Sequence, residues 1–115
     1  MISKSRRIRR KEISYILSRG KRYNSSYFLV YIVKSDGLEE NPSRFSFSVS
    51  KKVCKGAVGR NKLRRRGYSI ISQNIEKIKP NHLFLFSFKK EAVAKSFSAL
   101  EKDVLELLSL TLMLE

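Results

Sequence analysis

Cysteine occurs once in the 115 residues, as Cys54, so no internal disulfide framework can form and a reducing compartment is expected. Long apolar runs are missing too. The longest stretch without a charge, Tyr23 to Val33, falls well short of the ~20 residues that a helix needs to cross a bilayer. The basic opening residues lead into no apolar segment, so no secretory signal is expected and the chain reads as cytoplasmic, with no membrane partner. Histidine also occurs once, as His82, which leaves no histidine pair for general acid–base cleavage of a phosphodiester. No Walker loop and no zinc-ligand spacing is present. The most informative absence is acid: there is no Asp or Glu between Asn41 and Ile75. Two-metal phosphodiester chemistry needs clustered acidic ligands, so the region best charged to hold a polyanion has nothing with which to cut one.

Base is abundant in that same region. Residues 1–66 hold 19 Lys and Arg against four acids, and three of those acids, Asp36, Glu39 and Glu40, sit in one expected loop. Residues 67–115 hold six cations and six acids, so the whole net charge of +15 belongs to the first part of the chain. A solvated helix face usually mixes signs, because opposite charges at i,i+4 support a helix and like charges oppose it. The segment SKKVCKGAVGRNKLRRRGYSI, residues 50–70, instead carries eight cations and no acid. The anions that balance it are therefore expected on a partner.

With 42% hydrophobic residues and 12 aromatics, the chain is expected to fold as one domain of residues 1–115, opened by a basic arm over residues 1–10. KEISYILSRG reads as a short helix with Ile13, Ile16 and Leu17 on one face and Gly20 as its stop. SYFLVYIV reads as a strand, with a short extra strand expected around Arg22 to Asn24. RFSFSVS alternates, placing Phe45, Phe47 and Val49 inward and Arg44, Ser46, Ser48 and Ser50 outward. A helix is expected from about Arg60 to Lys77, with Gly56 and Gly59 before it and Pro80 after it. Its apolar stripe is Leu63, Gly67, Ile70, Ile71, Ile75 and Ile78. HLFLFSF reads as a central strand covered on both faces. KSFSALEKDVLELLSLTLMLE reads as a helix with Phe97, Leu100, Val104, Leu107 and Leu108 in one stripe. Helices packed on a small mixed sheet make this an α+β domain.

The first turns of the central helix would carry Arg60, Lys62, Arg64, Arg65 and Arg66, four arginines to one lysine. Cations at a helix N-terminus oppose the macrodipole, whereas a phosphate there satisfies dipole, backbone N–H groups and guanidiniums together. A neighbouring strand exposing serine hydroxyls favours structured RNA, which is recognised through phosphates and 2′-OH groups. A ribosomal or other structural RNA-binding protein, and a DNA-binding or chaperone-like basic protein, remain open from the residues alone. His82 is expected to be structural and Cys54 an inert or incidental thiol.

FSVSKKV followed by AVGRNKLRRR resembles the signature of the bacterial ribonuclease P protein subunit, F-S-V-S-K-K and then R-N-x-x-K/R-R. The opening RRIRRKEISYILSRGKRY and the closing SFSALEKDVLELL resemble the same family in the right order. The resemblance implies an αβββαβα two-layer sandwich like the second domain of a ribosomal small-subunit protein, with a left-handed βαβ crossover. It implies an RNA-binding subunit that joins a catalytic RNA in removing 5′ leaders from precursor tRNA, one protein per RNA. The catalytic groups and Mg2+ are expected on that RNA, with no catalytic residue, metal or cofactor on the protein. Arg60, Asn61, Arg64, Arg65 and Arg66, with Lys62 among them and Lys51, Lys52 and Lys55 alongside, would contact the catalytic RNA. Ile13, Leu17, Tyr27, Tyr31, Ser46 and Ser48 would line the leader cleft. Ile13 and Leu17 stand where the family commonly has phenylalanine, so any base stacking would fall to Tyr15, Tyr27 or Tyr31. Gly67, Tyr68 and Ser69 stand where the family continues R-E, and beyond Arg66 its contact surface is not carried over.

Overall fold

A computed structural model describes residues 4–35 and 41–115; the acidic loop expected at Asp36, Glu39 and Glu40 lies outside the described residues, as do residues 1–3 of the arm. Helices Ile13–Arg19 (α1), Ala57–Asn74 (α2) and Phe97–Leu110 (α3) alternate with strands Lys21–Asn24 (β1), Phe28–Lys34 (β2), Arg44–Ser48 (β3) and His82–Phe88 (β4) in the order αβββαβα. The sheet runs β1-β2-β4-β3. β2 pairs antiparallel with β1 and β4, while β3 lies parallel to β4, so α2 is the crossover between them.

Alternation in β2, β3 and β4 sorts the side chains onto two faces. Phe28, Val30, Ile32, Phe45, Phe47, Phe84, Phe86 and Phe88 join Leu63, Ile70 and Ile71 of α2 and Leu100, Val104, Leu107 and Leu108 of α3 in the main core. The parallel register sets Phe45 against Phe84 and Phe47 against Phe86, stacked at 5.1 and 4.6 Å between ring centroids. On the other face α1 buries Ile16 against Leu83 and Leu85, with Ile13, Tyr15, Tyr31 and Val33 packed around them. β4 is thus covered on both faces, which explains its nearly unbroken apolar sequence.

Several boundaries differ from the sequence expectation: β2 starts at Phe28, β3 stops at Ser48, short of Val49 and Ser50, α3 ends at Leu110, short of Glu115, and both ends of α2 shift. α2 begins at Ala57, after Gly56 as its N-cap, so Arg60 lies a turn inside the helix. The charge run had drawn the start too late, although Ala57 is a strong helix former. The helix ends at Asn74 and passes into a 3-10 turn at Ile75–Lys77. Ile78 lies beyond both and is buried through a bridge to Leu114, off the helical stripe.

Gly67, a weak helix former in mid-helix, has a packing reason. A Cβ there would lie 2.5 Å from the ring of Phe47, which is already stacked on Phe86 and edge-on to Tyr68. Gly67→Ala in an exposed helix gains about 1 kcal/mol. Here it is expected to lose about 1–3 kcal/mol through overpacking, and a urea melt with a raised midpoint would contradict this contact.

Candidate nucleic-acid interface

The loop from β3 to α2 is tied down by its own backbone. The Ser50 carbonyl accepts from the Val53 and Cys54 N–H groups, both at 3.1 Å, leaving Lys51, Lys52 and Lys55 exposed on this turn. Arg60 folds back on the loop, its Nη1 donating to the carbonyls of Cys54, at 3.0 Å, and Lys55. It is therefore a brace that fixes the loop's lysines relative to α2, a role the charge pattern did not foretell. The helix N-terminus also falls a turn before the arginines, so the macrodipole opposes them less than a start at Arg60 would.

The remaining cations of α2 divide between two flanks, because successive helical residues are 100° apart. Asn61, Arg64 and Arg65, with exposed Val58 and half-buried Tyr68, line an open cleft of about 570 Å³ whose opposite wall is Arg7 of the arm. No carboxylate among the described residues lines it. Arg64 donates to Oδ1 of Asn61, which aligns both side chains along the cleft. On the other flank Lys62 and Arg66 border a depression shared with Lys95 and the start of α3, and Arg66 donates to the Lys95 carbonyl at 3.4 Å. Arg7 and Tyr68 were not foreseen as site residues. Arg7 was hidden within a uniformly basic arm, and Tyr68 stood outside the charge pattern.

The sheet face that carries α1 is a second candidate surface. Pairing places Arg22, Tyr31, Leu85 and Ser46 in one row across it, and Asn24, Leu29, Ser87 and Ser48 in the next. Ser48 and Ser87 are joined Oγ to Oγ at 3.0 Å. Of the expected leader residues, Tyr31, Ser46 and Ser48 share this face, and α1 brings Ile13 and Leu17 beside it. Ile13 is packed against the small core, whereas Leu17 is 51% exposed. Tyr27 is not brought there: it packs on the main core, with Lys95 Nζ 5.5 Å from its ring centroid. Ser87 had a signal in sequence, as a polar residue inside an apolar strand and in phase with Leu83 and Leu85.

Neither reactive side chain is set up for chemistry. His82 holds Nδ1 against the Pro80 carbonyl at 2.8 Å, and the Cys54 thiol reaches only the Gly56 carbonyl, at 3.9 Å. Among the described residues no three His, Cys, Asp or Glu side chains gather into a metal-binding group. No helix among them is long and apolar enough to cross a membrane.

An α+β domain with one carboxylate-free cationic flank is a module built to dock on a polyanion. The comparisons make that class specific. A sequence model of the ribonuclease P family matches residues 1–111. The ribonuclease P protein component of Clostridioides difficile is 33% identical over 97 residues, covering 84% of this chain and 82% of that protein. A solved RNase P protein from Thermotoga maritima, in complex with 1-(4-fluorophenyl)-2-thiourea, is 28% identical with a TM-score of 0.79, over 89% of this chain and 96% of that one. RNase P protein from Staphylococcus aureus, at 21% identity and a TM-score of 0.82 over 96% of this chain and 98% of that one, shares the fold. The chain belongs to the ribonuclease P protein component family, an RNA-binding subunit of the endoribonuclease that matures tRNA 5′ ends. Its partner is a ribonuclease P RNA, and the ribosomal and DNA-binding readings give way to this one.

Proposed function

We propose that the loop and cationic flank of α2 dock on the catalytic RNA, while the serine-bearing sheet face beside α1 receives the 5′ leader of precursor tRNA, with one protein per RNA. The observation that carries this is the cleft lined by Asn61, Arg64 and Arg65 with no carboxylate among the described residues of its walls. Lys51, Lys52, Lys55, Lys62 and Arg66 extend the positive field on either side, and Arg60 acts by holding the loop. Mg2+ belongs to the RNA and supplies metal-assisted hydrolysis there. The protein's residues neutralise phosphates and hold the leader, so that substrate and metal ions approach with less repulsion.

The sheet face suits a single strand. Tyr31 and Ser46 lie across β4 from each other, about 10 Å apart at the usual strand spacing. A phenol ring offers a base its face, and the serine hydroxyls offer hydrogen bonds to phosphate or 2′-OH. The test is multiple-turnover cleavage by the cognate RNA with and without the protein at physiological magnesium. The protein should raise the rate at least about tenfold, and protein freed of nucleic acid should cut nothing. Tyr31→Leu keeps the apolar packing and loses the stacking face. It is expected to weaken holoenzyme binding to leader-bearing precursor about fivefold and leave mature tRNA binding unchanged. Equal losses on both RNAs would place the leader elsewhere.

A further inference from the structure

The geometry points to Arg7 as a further contact to a phosphodiester of the catalytic RNA, held in the α2 cleft by a latch whose centre is Tyr68. This rests on the docking surface proposed above and names a residue of it that lies outside the signature segment.

Three contacts fix the arm at this point. Arg7 forms a parallel bridge with Phe45, and the Ile8 N–H donates to the Phe45 carbonyl at 3.0 Å. One ladder step further along the same edge of β3, the Phe47 N–H finds the Tyr68 hydroxyl at 3.4 Å. The arm and the phenol thus close this edge in succession. The guanidinium carbon of Arg7 then lies 5.0 Å from the centroid of the Tyr68 ring, within cation–π range. The ring itself is braced from behind by Phe47, edge-on at 5.1 Å.

The result is a guanidinium placed across the cleft from Arg64 and Arg65 by a flexible arm that has been made rigid. Holding three like charges around one opening is unfavourable without an anion, and among the described residues no carboxylate lines the cleft to offset them. A phosphate in the cleft would offset these charges and accept from guanidinium N–H groups, in the bidentate manner that suits guanidinium. The exposed Val58 on the α2 wall gives the adjoining sugar an apolar surface.

The test measures affinity for the catalytic RNA as a function of salt for the full chain, its Arg7→Ala, Tyr68→Leu and Tyr68→Phe variants, and the pair Arg7→Ala with Tyr68→Leu. Arg7→Ala should bind about tenfold more weakly and flatten the log–log salt slope by ~0.7–0.9, the share of one phosphate contact. Tyr68→Leu removes no charge, yet it should flatten the slope by a similar amount, because Arg7 is no longer held. Tyr68→Phe keeps the ring and should keep the slope. The paired variant should bind no worse than the weaker single. Thermal melts of each variant separate a lost latch from a lost fold, and Tyr68→Phe together with Arg7→Ala decides the matter if Tyr68→Leu melts early. An unchanged slope for Arg7→Ala, while Arg64→Ala still weakens binding, overturns the latch and leaves the docking surface standing. If neither matters, the docking surface itself is misplaced.

Discussion

Replacing Arg64 and Arg65 together with alanine is expected to weaken binding to the catalytic RNA about 100-fold at physiological salt. The estimate follows from about 1.5 kcal/mol for each charge-assisted contact with phosphate. The salt slope should flatten by up to ~2, about one for each lost contact. Arg65 is exposed, Arg64 is half-buried, and the cross-link Arg64 makes is to Asn61 on the same helix. The folded chain should therefore survive the change, with a melting temperature close to that of the parent. Unchanged affinity and slope in a filter-binding titration would remove α2 from the docking surface. Loss of affinity at constant slope would mean that the two arginines act on shape and not on charge.

The second large effect is expected far from the RNA. Asp103 lies on α3 and is buried, and its carboxylate accepts from the Ser25 hydroxyl at 2.7 Å and from the Tyr27 and Ser26 N–H groups at 3.0 and 3.2 Å. Beside it, Lys89 Nζ donates to the Ser25 carbonyl at 2.7 Å. This fastens the turn between β1 and β2 to the last helix, bringing together residues 76 to 78 positions apart. Asp103→Ala would strand two backbone donors in a part-buried site and leave the Ser25 hydroxyl the Phe28 carbonyl, at 3.2 Å, as its acceptor. A loss of about 3 kcal/mol is expected, a large share of the ~5–15 kcal/mol by which domains of this kind are stable. In a thermal melt that corresponds to a drop of about 10 °C. Asp103→Asn retains one acceptor oxygen and should fall between the two. A shift below about 2 °C for the alanine variant would show the turn to be held by other contacts.

Much of the fold could be read along the chain because its signals are local. The alternation of Phe45, Phe47 and Val49 against Ser46 and Ser48 set the inner and outer faces of β3. The apolar run of β4 set its central position, and the stripe from Leu100 to Leu108 set the packing of α3. What the chain concealed depends on pairs that only the folded state brings together. Gly67 looked like a flaw in a helix until Phe47 occupied its missing side chain's place. Asp103, three residues after Leu100 and next to Val104, falls within the buried stripe, but nothing along the chain names its partners Ser25, Ser26 and Tyr27. In the interface, charge marked Lys51 through Arg66 as a group but could not separate the arginine that braces a loop from those that line a cleft. Arg60 turns inward because carbonyls of its own loop lie within reach, a matter of geometry and not of charge. The separation of Tyr27 from Tyr31 onto different surfaces has the same origin: the turn before β2 breaks the alternation that would have placed them together.

The two margins of the sheet are defended by different means. At β1 the outermost strand is four residues long and presents exposed Lys21 and Arg22, and desolvating those charges discourages a second chain from pairing alongside. At β3 the guard is covalently part of the molecule: the arm and the Tyr68 hydroxyl already occupy the backbone groups that a neighbour would seek. A net charge of +15 attracts the protein to long polymers of opposite sign, which screen the repulsion between its copies. Closing both margins lets it crowd onto such polymers without crossing over into cross-β association with its own kind.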